Sequence, residues 1–419
     1  MVERQNDSVS ALIQDACAQR TSRRDILKRG AALGVASSMI GAMITVNEST
    51  RVFAQDDPIV IGCPYNLTGA LQSIDVPAKD GSMLAAALLN ANGGVMGRQV
   101  NLVVENGESD LTTVTTITKK MVDSDHVVAF AGLTDTDYVR AAGQVAQENS
   151  LPFVNVGATA PILAQIGNFI YFVPFGDNVQ AAVAAEFCNE QGWKTAAMLV
   201  NDGTSYTKFL AEYFKERYTM DDIAGEIVKE LSYKAEDTDF SSQITEIKGL
   251  DPQPSMILAS AVPFEVGTLI KQTRDAGIAL PIVGGDGYDT PSLLELAGAQ
   301  AVDVYFTTHE GIYGDQSPES KTFTDAFNTE YGKMPDSIFA ALGYDGINLL
   351  CDAITRAGDT DGEKVRVALS ETTGFKGATG EISFVDGSQI PSKSVAIVVT
   401  KDGKFELVKT TVPTTVPEA

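Results

Sequence analysis

LPFVNVGATAP (Leu151–Pro161) begins as a strand and ends as something else. Leu151, Phe153 and Val154 are apolar, as a buried strand requires. The bulk then gives way to Gly157, Ala158, Thr159 and Ala160 before Pro161 stops the run. A strand that ends in four small residues, one with a hydroxyl, reads in two ways. It is an ordinary strand-to-turn exit, or it lets a bound molecule approach the main-chain N–H groups. The flanking sequence bears on the choice.

Upstream, PIVIGCP (Pro58–Pro64), QVNLVVEN and HVVAFAGL are short apolar runs with strand character. Between them, KDGSMLAAALLNAN (Lys79–Asn92), LTTVTTITKKMVDS and DTDYVRAAGQVAQEN repeat apolar residues at helical spacing. Strand and helix alternate, which calls for a parallel sheet covered on both faces. After YFVPFGDN (Tyr171–Asn178) the rhythm starts again and runs to VDVYFTTHE (Val302–Glu310). Two long helical patterns follow, SKTFTDAFNTEYGK and SIFAALGYDGINLLCDAITRAG, then the hairpin-like GEISFVDGSQ and SVAIVVTKDGKFELV.

The expected fold is therefore α/β, with two doubly wound parallel-sheet lobes joined by a hinge that the chain crosses several times. The first series is short of cover, so the late helices are assigned to it. The expected division is lobe 1 over residues 55–175 and 311–375, lobe 2 over 176–310 and 376–408, and a mobile tail over 409–419. In open parallel sheets ligands sit beyond the carboxyl ends of the strands. GATAP occupies such an end, as do GLTDTD (Gly132–Asp137), NDGTSY (Asn201–Tyr206) and GGDGYD (Gly284–Asp289). One such loop is turn chemistry; four of them point at one cleft.

The 419 residues are 44% hydrophobic and carry a net charge of −24, which argues against nucleic acid or an anionic membrane surface as partner. Ser22-Arg23-Arg24-Asp25-Ile26-Leu27-Lys28, an uncharged small and apolar run, and RVFAQDD make an export signal of twin-arginine type with cleavage expected after Ala54. The apolar run falls short of the ~20 residues of a spanning helix. Residues 1–54 hold seven Lys/Arg and five Asp/Glu, so the chain beyond them carries −24 − 2 = −26. It keeps Cys63, Cys188 and Cys351, with no C-x-x-C, and all three are expected as buried small hydrophobes.

In this order and spacing, IVIGCPYNLTG, FAGLTDTD, PFVNVGATAP, NDGTSY and GGDG resemble type I solute-binding proteins of ABC transporters, in the branch that binds leucine, isoleucine, valine or amides. The resemblance spans Pro58 to Val408. It implies two lobes closing over a small polar ligand, often an amino acid, which an ABC permease in the membrane then receives. The place implied is the periplasm or another extracytoplasmic compartment. The family's carboxylate-binding hydroxyl falls on Thr136, and its second hydroxyl and exposed backbone on Thr159, Ala158 and Gly157. Its aromatic from the second lobe falls on Tyr206, its ammonium-binding acid on Asp286, and its first-strand loop on Leu67–Leu71. The short disulfide of some members has no cysteine here to form it.

Such a site is chemically sound. A ligand carboxylate at the N-terminus of the Asp135–Asn149 helix meets unpaired N–H groups and the helix dipole, worth ~0.3–1 kcal/mol and up to ~2 when partly buried. Asp286 would neutralise an ammonium that is costly to bury alone. Asp135 and Asp137 depart from the pattern. Either they cap the helix, since Thr134-x-x-Asp137 fits a capping box, or one faces the cleft. In the second case it repels a ligand carboxylate and favours a cation, an amide or a polyol.

Two other function classes are weighed. An exported enzyme lacks support: there is no G-x-S-x-G, no H-E-x-x-H, no phosphate loop and no cofactor or metal motif, and both histidines, His126 and His309, read as structural. A ligand sensor signalling to a membrane partner needs the same cleft as a transport protein, and a monomer serves either.

Overall fold

The computed structural model describes residues 57–235 and 237–419. The export signal expected over residues 1–54 lies outside them. The chain alternates β1 (Ile59–Tyr65), α1 (Gln72–Ala91), β2 (Val100–Asn106), α2 (Leu111–Asp123), β3 (Ala129–Gly132), α3 (Thr136–Glu148), β4 (Phe153–Asn155) and β5 (Ile170–Phe172). These strands form a parallel sheet in the order β2-β1-β3-β4-β5. Every residue of β3 and β4 is buried, which is why they read as continuous apolar runs.

A second series follows: α4 (Asp177–Glu190), β6 (Thr195–Asn201), α5 (Ser205–Thr219), β7 (Glu226–Tyr233), α6 (Ser241–Lys248), β8 (Met256–Ser260), α7 (Pro263–Asp275), β9 (Ile282–Gly284), α8 (Pro291–Ala297) and β10 (Val304–Thr308). The chain ends with α9 (Pro318–Tyr331), α10 (Phe339–Ala357), α11 (Gly362–Ser370), the hairpin β11 (Phe375–Gly377) and β12 (Gly380–Ile382), then β13 (Val395–Lys401) and β14 (Lys404–Thr411). The second sheet runs β14-β13-β10-β9-β8-β6-β7. Strands β6 to β10 are parallel, and β13 and β14 add an antiparallel edge. Their turn, Asp402-Gly403, has positive φ at both residues, as a tight hairpin needs.

Helices α9, α10 and α11 return to the first sheet, where Phe327, Leu342, Leu350 and Leu369 join Ile59, Ile61 and Tyr65 in one core. Helices α1 and α10 touch backbone to backbone. A Cβ on Gly81 would lie 1.7 Å from the Ala340 carbonyl oxygen, and one on Gly343 would lie 1.9 Å from that of Ala78. Helix α1 begins at Gln72, seven residues before the expected Lys79, and carries Pro77 inside it. Pro77 is the sixth residue of the helix, past the four unpaired N–H groups of its start, so the Ser73 carbonyl lacks its intrahelical donor.

Two boundaries differ from expectation. The first lobe does not end at residue 375: Ala378, Ile382 and Phe384 belong to its core, and the Gln389 carbonyl accepts from Phe172 N at 3.0 Å beside β5. Apolar burial against α10 keeps the β11–β12 hairpin there. The tail expected to be mobile is held on the second lobe instead. Glu186 of α4 accepts from Thr414 N at 3.0 Å, and Asn178 donates to the Pro417 carbonyl at 3.0 Å.

Three segments cross between the lobes: one after β5, one after β10 and one before β13. His309, just past β10, stacks on Phe175 with ring centroids 3.9 Å apart. Lys393 in the third crossing donates to the Val173 carbonyl at 3.2 Å and to Thr379 Oγ1 at 2.7 Å. The three crossings are thus packed against one another. Cys63, Cys188 and Cys351 are buried and unpaired. No helix of the described residues is long and apolar enough to cross a membrane.

Candidate functional site

The strand ends of both sheets open on one cavity with about 310 Å³ of empty space, open solvent included. Of the residues singled out in the sequence, Asp135, Thr136, Gly157, Ala158, Thr159, Tyr206 and Asp286 border it, and Asp137 does not. Leu71 and Ile74, at the start of α1, and Phe339 add apolar wall.

On the first lobe, the loop after β3 places three successive side chains. Thr134 donates to the buried carboxylate of Asp75 in α1, whose other oxygen accepts from Asn66 N at 2.6 Å. Asp135 caps α3, its Oδ1 accepting from Asp137 N at 2.9 Å. The capping box expected from Thr134 and Asp137 is therefore corrected: helix α3 starts one residue later and Asp135 is its cap. Thr136 opens the helix, is 1% exposed, and its hydroxyl has no partner within the described residues.

Asp137 points to the second lobe. Its carboxylate accepts from Ser205 N at 3.1 Å, from Ser205 Oγ at 2.6 Å and from Arg140 Nη2 at 2.6 Å. It sits at the N-terminus of α5, where unpaired N–H groups and the helix dipole favour an anion. The side chain expected as a ligand contact is instead a contact between lobes.

The small residues after β4 answer to packing. Asn155, at the strand end, accepts from Gly157 N at 3.1 Å and Ala158 N at 2.8 Å and donates back to the Ala158 carbonyl. These main-chain N–H groups, expected to be free for a ligand, are already used. Gly157 is needed because a Cβ there would lie 2.7 Å from Thr134 Cβ. Thr159 is a junction with the hinge: its carbonyl accepts from Asp177 N at 2.7 Å, and its hydroxyl lies 3.4 Å from Gln180 Nε2.

On the second lobe, Tyr206 in the first turn of α5 accepts from Gly287 N at 3.1 Å through its hydroxyl oxygen. Asp286 follows β9 and is held by Gln180, which donates to Oδ1 at 3.0 Å and accepts from Asp286 N at 3.1 Å. Gln180 Nε2 also donates to Asp177 Oδ1 at 2.9 Å. His309 Nε2 lies 3.8 Å from Asp286 Oδ2, too far for a hydrogen bond.

The electrostatics are one-sided. Burial pushes the Asp75 carboxyl up to about 7. Burial, with the Asp137 charge, pushes Asp135 up to about 7. Asp177 is pushed well above the usual carboxylate range by burial and by Asp286. Burial pulls His309 down to about 4 against the pull of Asp286, so it is neutral near pH 7. Asp75, Asp177, Gln180 and Asn155 were not singled out in the sequence. Each lies at a strand end or in a first helical turn, where acids and amides are common for capping alone.

Residues 58–404 match the periplasmic binding protein family. The leucine-, isoleucine-, valine-, threonine- and alanine-binding protein of Pseudomonas aeruginosa is 25% identical over 329 residues, 78% of this chain and 86% of that protein. The structure of LivJ from Streptococcus pneumoniae, a branched-chain amino acid transporter substrate-binding protein in complex with isoleucine, superposes with a TM-score of 0.78. It is 27% identical and covers 86% of this chain and 100% of that one. The leucine-binding protein LivK from Thermotoga maritima gives a TM-score of 0.79 at 28% identity, over 84% of this chain and 98% of that one.

Proposed function

Because the chain belongs to the periplasmic binding protein family, in its branched-chain amino acid ABC-transporter branch, we propose that it captures a small polar metabolite, amino acid or amide-like, between its lobes. It hands that cargo to an ABC permease, acts as a monomer, and reaches its extracytoplasmic place through the twin-arginine route. The ligands of the relatives, branched-chain amino acids above all, support the size of the cargo.

One observation carries the reading. Thr136 Oγ1 is buried at the cavity wall with no hydrogen-bond partner among the described residues, between acids and an aromatic supplied by the two lobes. An unmade hydrogen bond of this kind costs about 1–3 kcal/mol, and a bound polar molecule recovers it. Asp286 and Tyr206 come from one lobe, Thr136 and Asp135 from the other, so a guest that touches both favours closure.

Binding is expected at micromolar affinity or tighter, ~8 kcal/mol or more. The test is a thermal-shift panel of amino acids, amides, polyamines and sugars. A ligand at 100 times its Kd adds ~2.7 kcal/mol of stability. A panel without a single shift rejects the proposal.

A further inference from the structure

We propose, resting on the binding reading above, that the cleft selects a ligand that bears an ammonium group and no carboxylate: a primary amine or the amide of an amino acid. The geometry of the helix N-termini points to this class. Six helices start at or beside the cavity, α10 among them with Ile338 N donating to Asp289 Oδ1 at 3.1 Å, and helix starts are where a protein receives a ligand carboxylate, through free N–H groups and the positive end of the dipole. Here each start already holds an acid of the chain itself.

Asp75 stands in the first turn of α1, Asp135 caps α3, and Asp177 is the first residue of α4. The start of α5 receives Asp137 from the opposite lobe. At the start of α7, Glu265 accepts from Val262 N at 3.4 Å. The seat that the family resemblance offers to a ligand carboxylate, the N-terminus of α3, is filled by Asp135, whose own oxygen takes the Asp137 N–H.

What the cavity leaves unmet is of the opposite kind. Thr136 Oγ1, at the cavity wall, and Asp177 Oδ2, outside the lining and linked to Asp286 through Gln180, are buried with no hydrogen-bond partner among the described residues. Asp135 and Asp286 face the space from the two lobes, and none of the described residues that border it is a lysine or an arginine. The nearby bases do not border the cavity. His309 is packed face to face with Phe175, and Lys393 donates to Val173 and Thr379. An incoming carboxylate would meet the carboxyls of Asp135 and Asp286 with no lysine or arginine of the described lining to offset them, whereas an ammonium pairs with both. An amide in place of the carboxylate keeps an N–H donor for Asp135 and a carbonyl for the Thr136 hydroxyl.

Calorimetry at pH 7 on the full chain beyond Ala54 tests this with matched pairs: alanine, leucine and phenylalanine, each against its own amide, together with 3-methylbutylamine. The expected result is that the tightest amide or the amine binds at least tenfold more tightly than the matching amino acid. Asp135→Asn should shrink that ratio at least fivefold. Asp135→Ser, which keeps a capping oxygen for α3, should do the same if the first variant folds poorly. An amino acid that binds as tightly as its amide overturns the ligand class and leaves the binding reading standing. A ratio unchanged in both variants overturns the role of Asp135 and with it the inference. Silence from every compound overturns both readings.

Discussion

Replacing Asp137 with alanine separates closure from ligand contact. Its carboxylate holds Ser205 through two hydrogen bonds across the lobes and does not border the cavity. Buried charge-assisted bonds contribute ~1.5–3 kcal/mol each. The Asp137 side chain is 17% exposed, so water can replace part of what is lost. The lower end is appropriate for the pair, about 2 kcal/mol in all. The Arg140 contact lies within α3 and on the surface, and contributes little to closure. A loss of about 2 kcal/mol moves the open–closed balance by ~30-fold. A ligand retained only by the closed form should therefore bind up to ~30-fold more weakly, mostly through faster release. Calorimetry with the tightest compound of the panel reads the affinity, and small-angle scattering reads the radius with and without it. Ser205→Ala, which removes only the hydroxyl bond, should lose about half as much free energy, and combining it with Asp137→Ala should add almost nothing. Unchanged affinity in Asp137→Ala, or a double variant whose losses simply sum, would refute the latch.

Asp286→Ala should weaken an ammonium-bearing ligand by ~2 kcal/mol or more, measured by calorimetry, because the charge it faces would be left unpaired; equal affinity removes Asp286 from the site. Gly343→Ala should destabilise the first lobe by about 1–3 kcal/mol, since its methyl would meet the Ala78 carbonyl and α1 and α10 must separate, and denaturant melting checks this. Stability should fall from pH 6.5 to pH 8. Asp75 and Asp135 have folded values of about 7, above the unfolded ~3.9, so their protons stabilise the fold at low pH and that contribution is lost as pH rises through 7, together about 1–2 kcal/mol over this window. His309, depressed to about 4, has the opposite sign, but its loss comes only as pH falls below ~6.5. Melting temperatures in Asp135→Asn should show a flatter profile over the same window.

The two-lobe α/β fold was legible because its signals are long and redundant. Buried strands such as Ile59–Tyr65 are continuous apolar runs, and Val139, Ala142, Val145 and Ala146 mark the inner face of α3 at helical spacing. Short elements escaped: β5 has three residues, and α11 (GEKVRVALS) buries only Val365, Ala368 and Leu369. Strand ends of a parallel sheet share one side, so Thr136, Thr159, Tyr206 and Asp286 could be brought together by topology alone. Their partners could not. Gly157 and Ala158 look like open backbone until Asn155 is seen to occupy their N–H groups. Asp135 and Asp137 are two residues apart at a helix start, so they diverge by more than half a turn. Which one faces the cavity depends on where the other lobe lies, and local sequence does not encode that.

The same carboxyls link selectivity to closure. Asp286 of the second lobe and Asp135 of the first border one space that no lysine or arginine of the described residues lines, so closing an empty cleft over it would concentrate negative charge. Two things can neutralise it, protons or a cationic guest. Burial and neighbouring acids make Asp135 and Asp177 hold protons more strongly than free carboxylates do. An ammonium does the same work without the proton, and a ligand shifts the lobes only by its differential affinity for the closed state. Asp137 supplies a share of closure at α5, outside the cavity, that does not depend on the guest. The positive charge of the guest supplies the rest, which is why a neutral or anionic molecule of equal size should leave the lobes largely apart.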